Sequence, residues 1–367
     1  MLGSLWSFAL AAAALSASVL FEGARRPLRG VTPPPNIPSL SAHDCSTCHD
    51  AIYKQWLASR HAQSFTNRIF VASFRREPLS WCVYCHAPLP EQAKALAGAR
   101  HIRVRALPLV DEGVNCAVCH IRNGAILSAR APSAAALRAH RMRVVPSLAT
   151  SDFCGGCHQF NVPRPGLPVR YTAEPMQDTL AEWRRTTRNK ECQDCHMAGG
   201  GHAFPGGHDV ALLRNTLRVH ITPKNDRLQI ELEANGAGHR VPTGDPFRRL
   251  QLQLLSEEQA ATPLGTYSFG RRFRNPPHGD KDTWVLAQDL SIPPPTQGTT
   301  AVRSFTAKAM GAKYWRLLFS YPAPSSRADL QGDDIAVEVL RGAVPQPIRE
   351  APTPTALPPG RPAPSRP

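Results

Sequence analysis

Apolar and polar residues alternate along five segments in the second half of the chain. The alternating apolar positions are Leu217, Val219 and Ile221; Leu228, Ile230 and Leu232; Leu250, Leu252 and Leu254; Trp315, Leu317, Phe319 and Tyr321; and Ile335, Val337 and Val339. A period of two places such side chains on one face of a strand. Turn-forming residues, such as those at 223–226, separate the segments. The pattern therefore predicts several short strands that form a small β-sandwich.

The first half of the chain shows short helical patterns instead. Tyr53, Trp56 and Leu57 fall on one face of a predicted helix that leads to His61. Other stretches of this half are rich in Ala and Arg, and they also suggest short helices. The predicted fold class is α+β: a mainly helical domain of low secondary-structure content at 43–212, followed by a β-sandwich-like domain at 213–345.

The two ends of the chain have other compositions. Residues 1–22 are apolar and predict a signal peptide, although no Lys or Arg precedes the apolar run. An uncleaved N-terminal anchor is the alternative, because the run approaches the length of about 20 residues that spans a bilayer. Residues 23–42 contain a run of three prolines and predict a linker. Residues 346–367 are Pro-rich and predict a disordered tail. Membrane contact is expected only through the N-terminal segment.

All ten cysteines fall in five pentapeptides of the form C-x-x-C-H, numbered motifs 1 to 5 in chain order. The motif residues are Cys45, Cys48 and His49; Cys82, Cys85 and His86; Cys116, Cys119 and His120; Cys154, Cys157 and His158; and Cys192, Cys195 and His196. This is the attachment signature of haem c. Two thiols on one helical turn reach the two vinyl groups of one porphyrin edge, and the adjacent histidine reaches the iron. The motifs predict five covalently attached haems.

Other uses of C-x-x-C explain the pattern less well. Zinc sites pair two such units for each metal, which leaves one of five units over, and zinc does not require a histidine after every second cysteine. A thioredoxin-like redox motif occurs once in a domain, and a disulfide framework does not need identical spacing. Haem attachment through thioether bonds takes place outside the cytoplasm. The motifs and the N-terminal segment therefore both predict a periplasmic or extracellular protein.

Composition and charge support this interpretation. Hydrophobic residues make up 42% of 367 residues and aromatic residues only 7%, which is a weak supply for an all-protein core. The formal charge is +15, and seven of the 43 basic residues are Lys. Such a charge is also typical of nucleic-acid binding. However, five haems bring about ten propionates, and Arg pairs well with carboxylates. Nucleic-acid binding is therefore not expected.

Each iron needs a sixth ligand or stays open to small molecules. Nine histidines lie outside the motifs. The candidate distal ligands are His61, His140, His202, His208 and His239, with His43 and His101 as further candidates. His202 and His208 flank a Phe-Pro-Gly-Gly loop that follows motif 5, and a turn of this kind could present either ring. His239 lies in a Gly-rich loop of the predicted β-domain, from which it could reach across to a haem.

Several of these segments resemble a family of exported multihaem cytochromes c, typified by the tetrahaem electron acceptor of hydroxylamine oxidoreductase. The resemblance covers roughly 43–250 and rests on motif 1 with Tyr53, Trp56, Ser59 and His61; on Gly113, Val114 and Asn115 before motif 3; on Met197 after motif 5; and on the loops at 202–207 and 238–244. It implies closely packed haems, mostly bis-histidine coordination and electron transfer. It also implies that His61 is a distal ligand and that one haem can lack one. Five haems and a C-terminal β-domain depart from the family, so no specific partner follows from it.

Three functions remain open from the sequence. The first is a non-enzymatic electron carrier between redox proteins, with a membrane quinol-oxidising complex as a candidate partner. The second is an oxidoreductase that acts on a small nitrogen or sulfur compound at a five-coordinate haem. The third is a subunit of a haem-stacked filament or larger complex. The number of irons that have a sixth ligand decides between the first and the second.

Overall fold

A computed structural model describes residues 28–98, 108–164, 170–187, 189–274, 285–296, 301–321 and 324–345. Residues 28–209, called the motif region, hold the five motifs, and residues 210–345, called the strand region, hold most of the strands. The helices of the described part are α1 (Ala42–Leu57), α2 (Arg68–Arg76), α3 (Ser80–His86), α4 (Pro90–Gly98), α5 (Pro108–Asp111), α6 (Cys116–His120), α7 (Ala134–Ala139), α8 (Ser151–His158), α9 (Thr179–Arg184), α10 (Cys192–His196) and α11 (Val210–Thr216).

The motif region also contains strands where only helices were expected. They are β1 (Ile121–Arg122), β2 (Ala125–Ser128), β3 (Met142–Val144), β4 (Gln159–Arg164) and β5 (Arg170–Asp178). β1 and β2 form an antiparallel hairpin, and β4 pairs antiparallel with β5. Asn123 and Gly124 close the first hairpin with φ values of 50° and 67°. An Asn-Gly pair is the preferred two-residue hairpin turn, so the sequence did carry this signal.

All five strands predicted for the second half of the chain are present. The strands of this region are β6 (Leu217–Lys224), β7 (Arg227–Ala234), β8 (Arg249–Leu255), β9 (Gly265–Phe269), β10 (Arg271–Arg274), β11 (Val285–Asp289), β12 (Val302–Lys308), β13 (Tyr314–Ser320) and β14 (Ala336–Ala343). They form a four-stranded sheet of order β14-β13-β8-β9, a three-stranded sheet of order β12-β7-β6, and the pair β10-β11. The chain is therefore a mixed α+β protein.

The two larger sheets share one apolar core. Leu252 on β8 lies opposite Leu317 on β13 in an antiparallel register, and Ile230 on β7 lies opposite Ile221 on β6. Leu252, Leu317 and Ile230 are each fully buried in a single cluster. Leu213 on α11 belongs to the same cluster, so this helix packs with the strands. The alternation seen in the sequence therefore reflects one face per sheet turned toward a common core.

The segment that was predicted as a linker is in part packed. Leu28, Val31 and Leu40 are buried in a cluster with residues of α6, although they lie among prolines. The apolar side chains explain this difference, because their burial holds residues 28–42 on the motif region despite the Pro-rich sequence. The predicted N-terminal segment at 1–22 and the predicted tail at 346–367 lie outside the described residues.

Ion pairs join the motif region to the strand region. On α2, Arg68 pairs with Asp334 at 3.0 Å and Arg76 pairs with Asp329 at 2.9 Å. These side chains are largely exposed, so each pair contributes little to the free energy of unfolding. Within the described ranges, no helix combines the length and the apolar character that a bilayer crossing requires.

Candidate functional site

The five motifs lie on five separate helices. Motif 1 lies within α1, and motifs 2 to 5 form the last residues of α3, α6, α8 and α10. The helical backbone stops at each motif histidine, since His49 has φ −113° and ψ 38° inside α1 and the other four helices end there. Cysteines three positions apart on one turn present both thiols on one face. This is the arrangement that two thioether bonds to one porphyrin require.

Glu191 and Ser151 hold the helices of motifs 4 and 5 side by side. The Glu191 carboxylate accepts hydrogen bonds from the backbone N–H of Ser151 at 2.6 Å and from its hydroxyl at 2.5 Å. The Ser151 hydroxyl in turn accepts from the backbone N–H of Cys192 at 2.9 Å. Glu191 also forms a capping box with Asp194 at the start of α10. These bonds satisfy free N–H groups at the starts of both helices and fix one motif against the other.

Two glycines permit contacts that a side chain would block. A Cβ atom at Gly155, inside motif 4, would collide with Leu180 of α9. Gly113 has φ +57°, and a Cβ atom there would collide with Ser64. The backbone N–H of Val114 donates to the carbonyl of His61 at 3.0 Å. Gly113 therefore lets the segment that carries His61 lie directly against motif 3.

Four motif histidines face a histidine from a distant part of the chain. The ring centroids lie 6.4 Å apart for His49 and His140, 6.3 Å for His158 and His61, 6.1 Å for His120 and His202, and 6.2 Å for His196 and His239. Two imidazoles bound to opposite sides of one metal ion, with metal–nitrogen bonds of about 2 Å, have ring centres about 6 Å apart. The four pairs therefore have the spacing of bis-histidine coordination.

Backbone carbonyls orient several of these rings. In five histidines, the Nδ1–H group donates to a backbone carbonyl. His86 donates to Ser64 (2.7 Å), His120 to Leu127 (3.0 Å), His196 to Pro205 (2.6 Å), His202 to Gly200 (2.9 Å) and His239 to Arg240 (2.8 Å). A carbonyl oxygen can only accept, so Nδ1 carries the proton of the neutral ring. Nε2 is then left with its lone pair for a metal ion.

Burial also keeps these imidazoles neutral. Burial, together with the charge of nearby His158, lowers the pKa of His61 to about 3. Burial likewise lowers the pKa of His158 and that of His239 to about 4. The neutral imidazole is the form that binds a metal ion. Spacing and charge therefore fit axial ligation by all three residues, and for His239 the tautomer fits as well.

Motif 2 differs from the other four motifs. Among the described residues, no histidine faces His86 at the separation found in the four pairs. The Phe70 ring stacks on His86 with centroids 4.0 Å apart and planes inclined by 17°, and Nδ1 of His86 is held by Ser64. His101, one of the further candidates, lies outside the described residues. The proximal side of motif 2 is therefore built like the others, while its distal side has no imidazole in the described part.

His208 contacts the strand region through an aromatic stack. Its ring stacks on Tyr321 with centroids 4.1 Å apart, and the Tyr321 hydroxyl donates to the carbonyl of Gly207 at 3.0 Å. Burial, together with the charges of Arg248 and Arg60, lowers the pKa of His208 to about 3. His208 lines the same cavity as the motifs, but no motif histidine faces its ring among the described residues. Its role as a distal ligand therefore stays a prediction.

Arg248 forms no ion pair with a carboxylate among the described residues, although the charge of Asp245 acts on it from nearby. Its guanidinium donates to the carbonyl of Thr243 at 3.3 Å, and burial lowers its pKa. Its charge also lowers the pKa of His158 and of His239, so it lies near the motif 4 and motif 5 pairs. A buried guanidinium calls for an anionic partner. A haem propionate meets this need.

One continuous cavity connects the motifs. It has a volume of about 2720 Å³, and all fifteen motif residues line it together with the four facing histidines. Cysteines of different motifs also meet directly. The side chains of Cys45 and Cys116, of Cys154 and Cys192, and of Cys85 and Cys157 lie next to each other. Motifs 1 and 3, 4 and 5, and 2 and 4 are therefore neighbours within one shared space.

Comparisons with known proteins agree with this site. The family described as "Cytochrome c554 and c-prime" matches residues 44–121, which include motifs 1 to 3. The structure of a penta-heme cytochrome c552 from Thermochromatium tepidum is similar over 85% of this chain and all of that chain, with a TM-score of 0.63 and 21% identity. At this identity, the similarity shows the fold. A search of curated proteins gives no match.

The fold and the site together define a multihaem c-type cytochrome. Five complete attachment motifs on one cavity, facing histidines, and the fold of a pentahaem protein support five covalent haem c groups, as the sequence predicted. The placement of His61, His140, His202 and His239 agrees with their predicted distal roles, and the individual axial assignments stay predictions. Sequence reasoning missed Glu191 and Ser151. The acidic residue directly before the first cysteine of motif 5 was the available signal for a helix cap.

Proposed function

We propose that the protein is a pentahaem cytochrome that transfers electrons between redox partners outside the cytoplasmic membrane. The observation that carries this proposal is the set of four histidine pairs with centroids 6.1–6.4 Å apart. Two axial imidazoles leave no coordination position for a substrate. Such a centre exchanges electrons without binding small molecules.

The chain's own residues would tune and connect these centres. Haem c, when bound, supplies a one-electron iron centre whose potential depends on axial ligands, hydrogen bonds and burial. The carbonyls of Ser64, Leu127 and Pro205 hold the Nδ1 protons of three motif histidines, which makes these rings stronger ligands. These bonds would keep the orientation of the three rings fixed while the iron gains or loses an electron.

Contacts between cysteines support a specific order of transfer. Because each thiol is an attachment point, thiol contacts place the attachment points of two haems side by side. Motif 1 meets motif 3, and motif 4 meets motifs 2 and 5. Cys119 of motif 3 also acts electrostatically on Cys154 and Cys157 of motif 4. We infer a path through motifs 1, 3 and 4 that branches at motif 4 toward motifs 2 and 5.

Location and partners follow from the sequence and belong to the proposal. The apolar segment at 1–22 and the need to attach haem outside the cytoplasm favour export to the periplasm or beyond, with or without a retained anchor. The partners would be redox proteins, such as a membrane quinol-oxidising complex on one side. Cell fractionation with haem staining tests the location, and a cytoplasmic holoprotein would contradict it.

The second candidate function is an oxidoreductase that acts on a small nitrogen or sulfur compound. Motif 2 favours it, because His86 has a built proximal side and no facing histidine among the described residues. A five-coordinate iron at this motif would bind such a compound directly. This activity would then coexist with electron supply through the other four motifs.

Electron paramagnetic resonance of the purified holoprotein distinguishes the two functions. For an electron carrier, ferric signals are low-spin and do not change with nitric oxide or cyanide, and a small exported cytochrome reduces and reoxidises all five haems. For the enzyme, one haem of five is high-spin, binds nitric oxide and turns over hydroxylamine, nitrite or sulfite. Fewer than four low-spin bis-histidine haems would overturn the ligand set on which the proposal depends.

A further inference from the structure

The loop that presents His239 belongs to the strand region, whereas His196, which it faces, belongs to the motif region. Residues 239–244 lie between β7 and β8, and the His239 ring centroid is 6.2 Å from that of His196. The two rings are inclined by only 12°. A ligand that reaches across two regions keeps its position only if the loop is tied to both of them.

The tie to the strand region uses the loop's backbone and one ion pair. Val241 and Ile292 exchange backbone hydrogen bonds of 3.0 and 2.8 Å. The Arg240 side chain pairs with Asp289 through a 3.2 Å contact. Arg271, which is buried, donates to the carbonyl of Gly244. These contacts hold the loop to the strands without any residue of α9.

The loop is tied to the motif region through α9 and through Arg271, which also donates to the carbonyls of Pro175 and Met176 on β5 at 3.0 and 2.9 Å. The carboxylate of Glu182 is the group of α9 that bonds to two residues of the loop. Glu182 on α9 is 3% exposed. Its Oε2 accepts a hydrogen bond of 2.6 Å from the Thr243 hydroxyl and one of 3.2 Å from the backbone N–H of Arg240. Thr179, also on α9, shares a 2.9 Å hydrogen bond with the same Thr243 hydroxyl. Glu182 thus contacts the loop on both sides of Val241, next to the residue that faces His196.

Burial of this carboxyl group removes it from water, and this lowers the stability of the fold unless hydrogen bonds compensate. No basic side chain forms an ion pair with Glu182 among the described residues, and burial raises its pKa. An unpaired buried carboxyl group costs several kcal/mol unless hydrogen bonds compensate. Both hydrogen bonds of Oε2 go to the loop that contains His239. The buried carboxyl group therefore helps to determine the position of this loop.

We propose that Glu182 is the positioning residue for His239, and that it holds the strand-region loop in the place where His239 completes the coordination of the motif 5 iron. This inference rests on the proposed ligation by His196 and His239. Glu182 does not touch the iron or a substrate. It acts through Thr243 and Arg240, and it makes the sixth ligand of one haem depend on the contact between the two regions.

The test compares two substitutions at one position in the holoprotein. Glu182→Ala removes both acceptor bonds, and we expect one low-spin haem of five to become high-spin in the ferric state and to bind carbon monoxide in the ferrous state. Glu182→Gln keeps an acceptor oxygen at the same place and should restore the low-spin spectrum. His239→Ala serves as the reference for complete loss of this ligand. Glu338→Ala, which removes an exposed carboxylate of β14, is the matched control and should leave all spectra unchanged.

The outcomes separate this inference from the proposed function. If His239→Ala changes one haem and Glu182→Ala changes none, only the role of Glu182 is overturned. If His239→Ala itself changes none, the ligand assignment beneath the proposed function fails. Equal high-spin fractions in the Ala and Gln variants would also overturn the positioning role. Should Glu182→Ala not fold, Thr243→Val removes the hydroxyl that bonds to Glu182 and Thr179, and Thr179→Val removes the bond to Thr179 alone. A fully low-spin spectrum in Thr243→Val, or the same high-spin fraction in both variants, counts against the proposal.

Discussion

The strand region and the motif region bury apolar side chains to very different extents. In the strand region, one cluster unites 18 buried apolar residues from both larger sheets and α11. In the motif region, the clusters of buried apolar residues in the described part have only seven, five and three members. The motif region instead surrounds the cavity that all five motifs line.

This difference indicates which buried surfaces stabilise each region. Burial of apolar surface is the main favourable contribution to folding, at about 25 cal/mol per Å². The strand region obtains it from its own leucines and isoleucines. The motif region lacks a comparable cluster, so its favourable burial has to come from the porphyrin surfaces that enter the cavity. The low aromatic content of the chain has the same explanation.

The largest effect that tests this comparison is expected when haem attachment is prevented. In full-length chain made without haem ligation, backbone amides in β7, β8 and β13 should keep their protection against hydrogen exchange, because their core needs no cofactor. Amides in α6 and α8 should lose theirs. Exchange followed by mass spectrometry, with holoprotein as the control, measures both regions at once. Equal protection of α6 and α8 with and without haem would contradict the comparison.

The next largest effect concerns the strand core itself. Leu252→Ala should lower the free energy of unfolding of the strand region by about 2–5 kcal/mol, because Leu252 is 0% exposed opposite Leu317 and its loss leaves a cavity. Chemical denaturation of the holoprotein, followed by far-ultraviolet circular dichroism, gives the value.

The matched control for that substitution is Leu264→Ala in the same region. Leu264 is 39% exposed, so its truncation should change the free energy by less than about 0.5 kcal/mol. If both variants lose the same stability, the strand region is not organised around a single core. The haem spectra of motifs 1 to 4 should stay unchanged in both variants.

The same contrast explains how much of the fold could be predicted from the sequence. Leu217 to Ile221 and Leu250 to Leu254 alternate because each sheet has one buried face, and this signal lies within each strand. Buried and exposed residues do not alternate in β4 and β5, whose side chains lie beside the cavity that the motifs line. The β4–β5 hairpin was therefore missed, although its cross-strand pairing is extensive.

The functional site also has one part that could be predicted from local sequence and one part that could not. Each C-x-x-C-H motif is local in sequence, so all fifteen residues could be assigned from spacing alone. The pairing of histidines is not local: His61 follows motif 1 but faces His158 of motif 4, and His140 faces His49 of motif 1. No residue of the loop that contains His202 and His208 indicates which of the two rings faces a motif histidine. The stacking contact with Tyr321, which lies more than a hundred residues away in the sequence, distinguishes His208 from His202.

A smaller effect is expected at the contact between α8 and α9. Gly155→Ala would place a Cβ atom against the end of the Leu180 side chain, so this side chain or α9 has to shift, at an expected cost of about 1–3 kcal/mol. Because α9 carries Glu182, the high-spin fraction of the holoprotein should rise along with the loss of stability. Thermal denaturation and electron paramagnetic resonance measure the two changes. Gly206→Ala is the control, since a Cβ atom there meets nothing within 4 Å; a comparable loss in that variant would show that the Leu180 contact is not the cause.

The smallest effect is expected from a single charge in the cavity wall. Arg248→Gln removes a guanidinium that forms no ion pair with a carboxylate among the described residues and that lies near the motif 4 and motif 5 histidines. A positive charge stabilises the reduced iron, so its removal should lower the midpoint potential. At about 10 Å and an effective dielectric constant of about 20, the interaction is worth ~1.7 kcal/mol, or roughly 70 mV for one electron. Spectroelectrochemical titration resolves a shift of that size at one or two of five haems.

The control is Arg341→Gln, which removes a guanidinium paired with Glu338 outside the cavity and should leave all potentials unchanged. Equal shifts in both variants would mean that net charge, and not the place of Arg248 beside the haems, sets the potential.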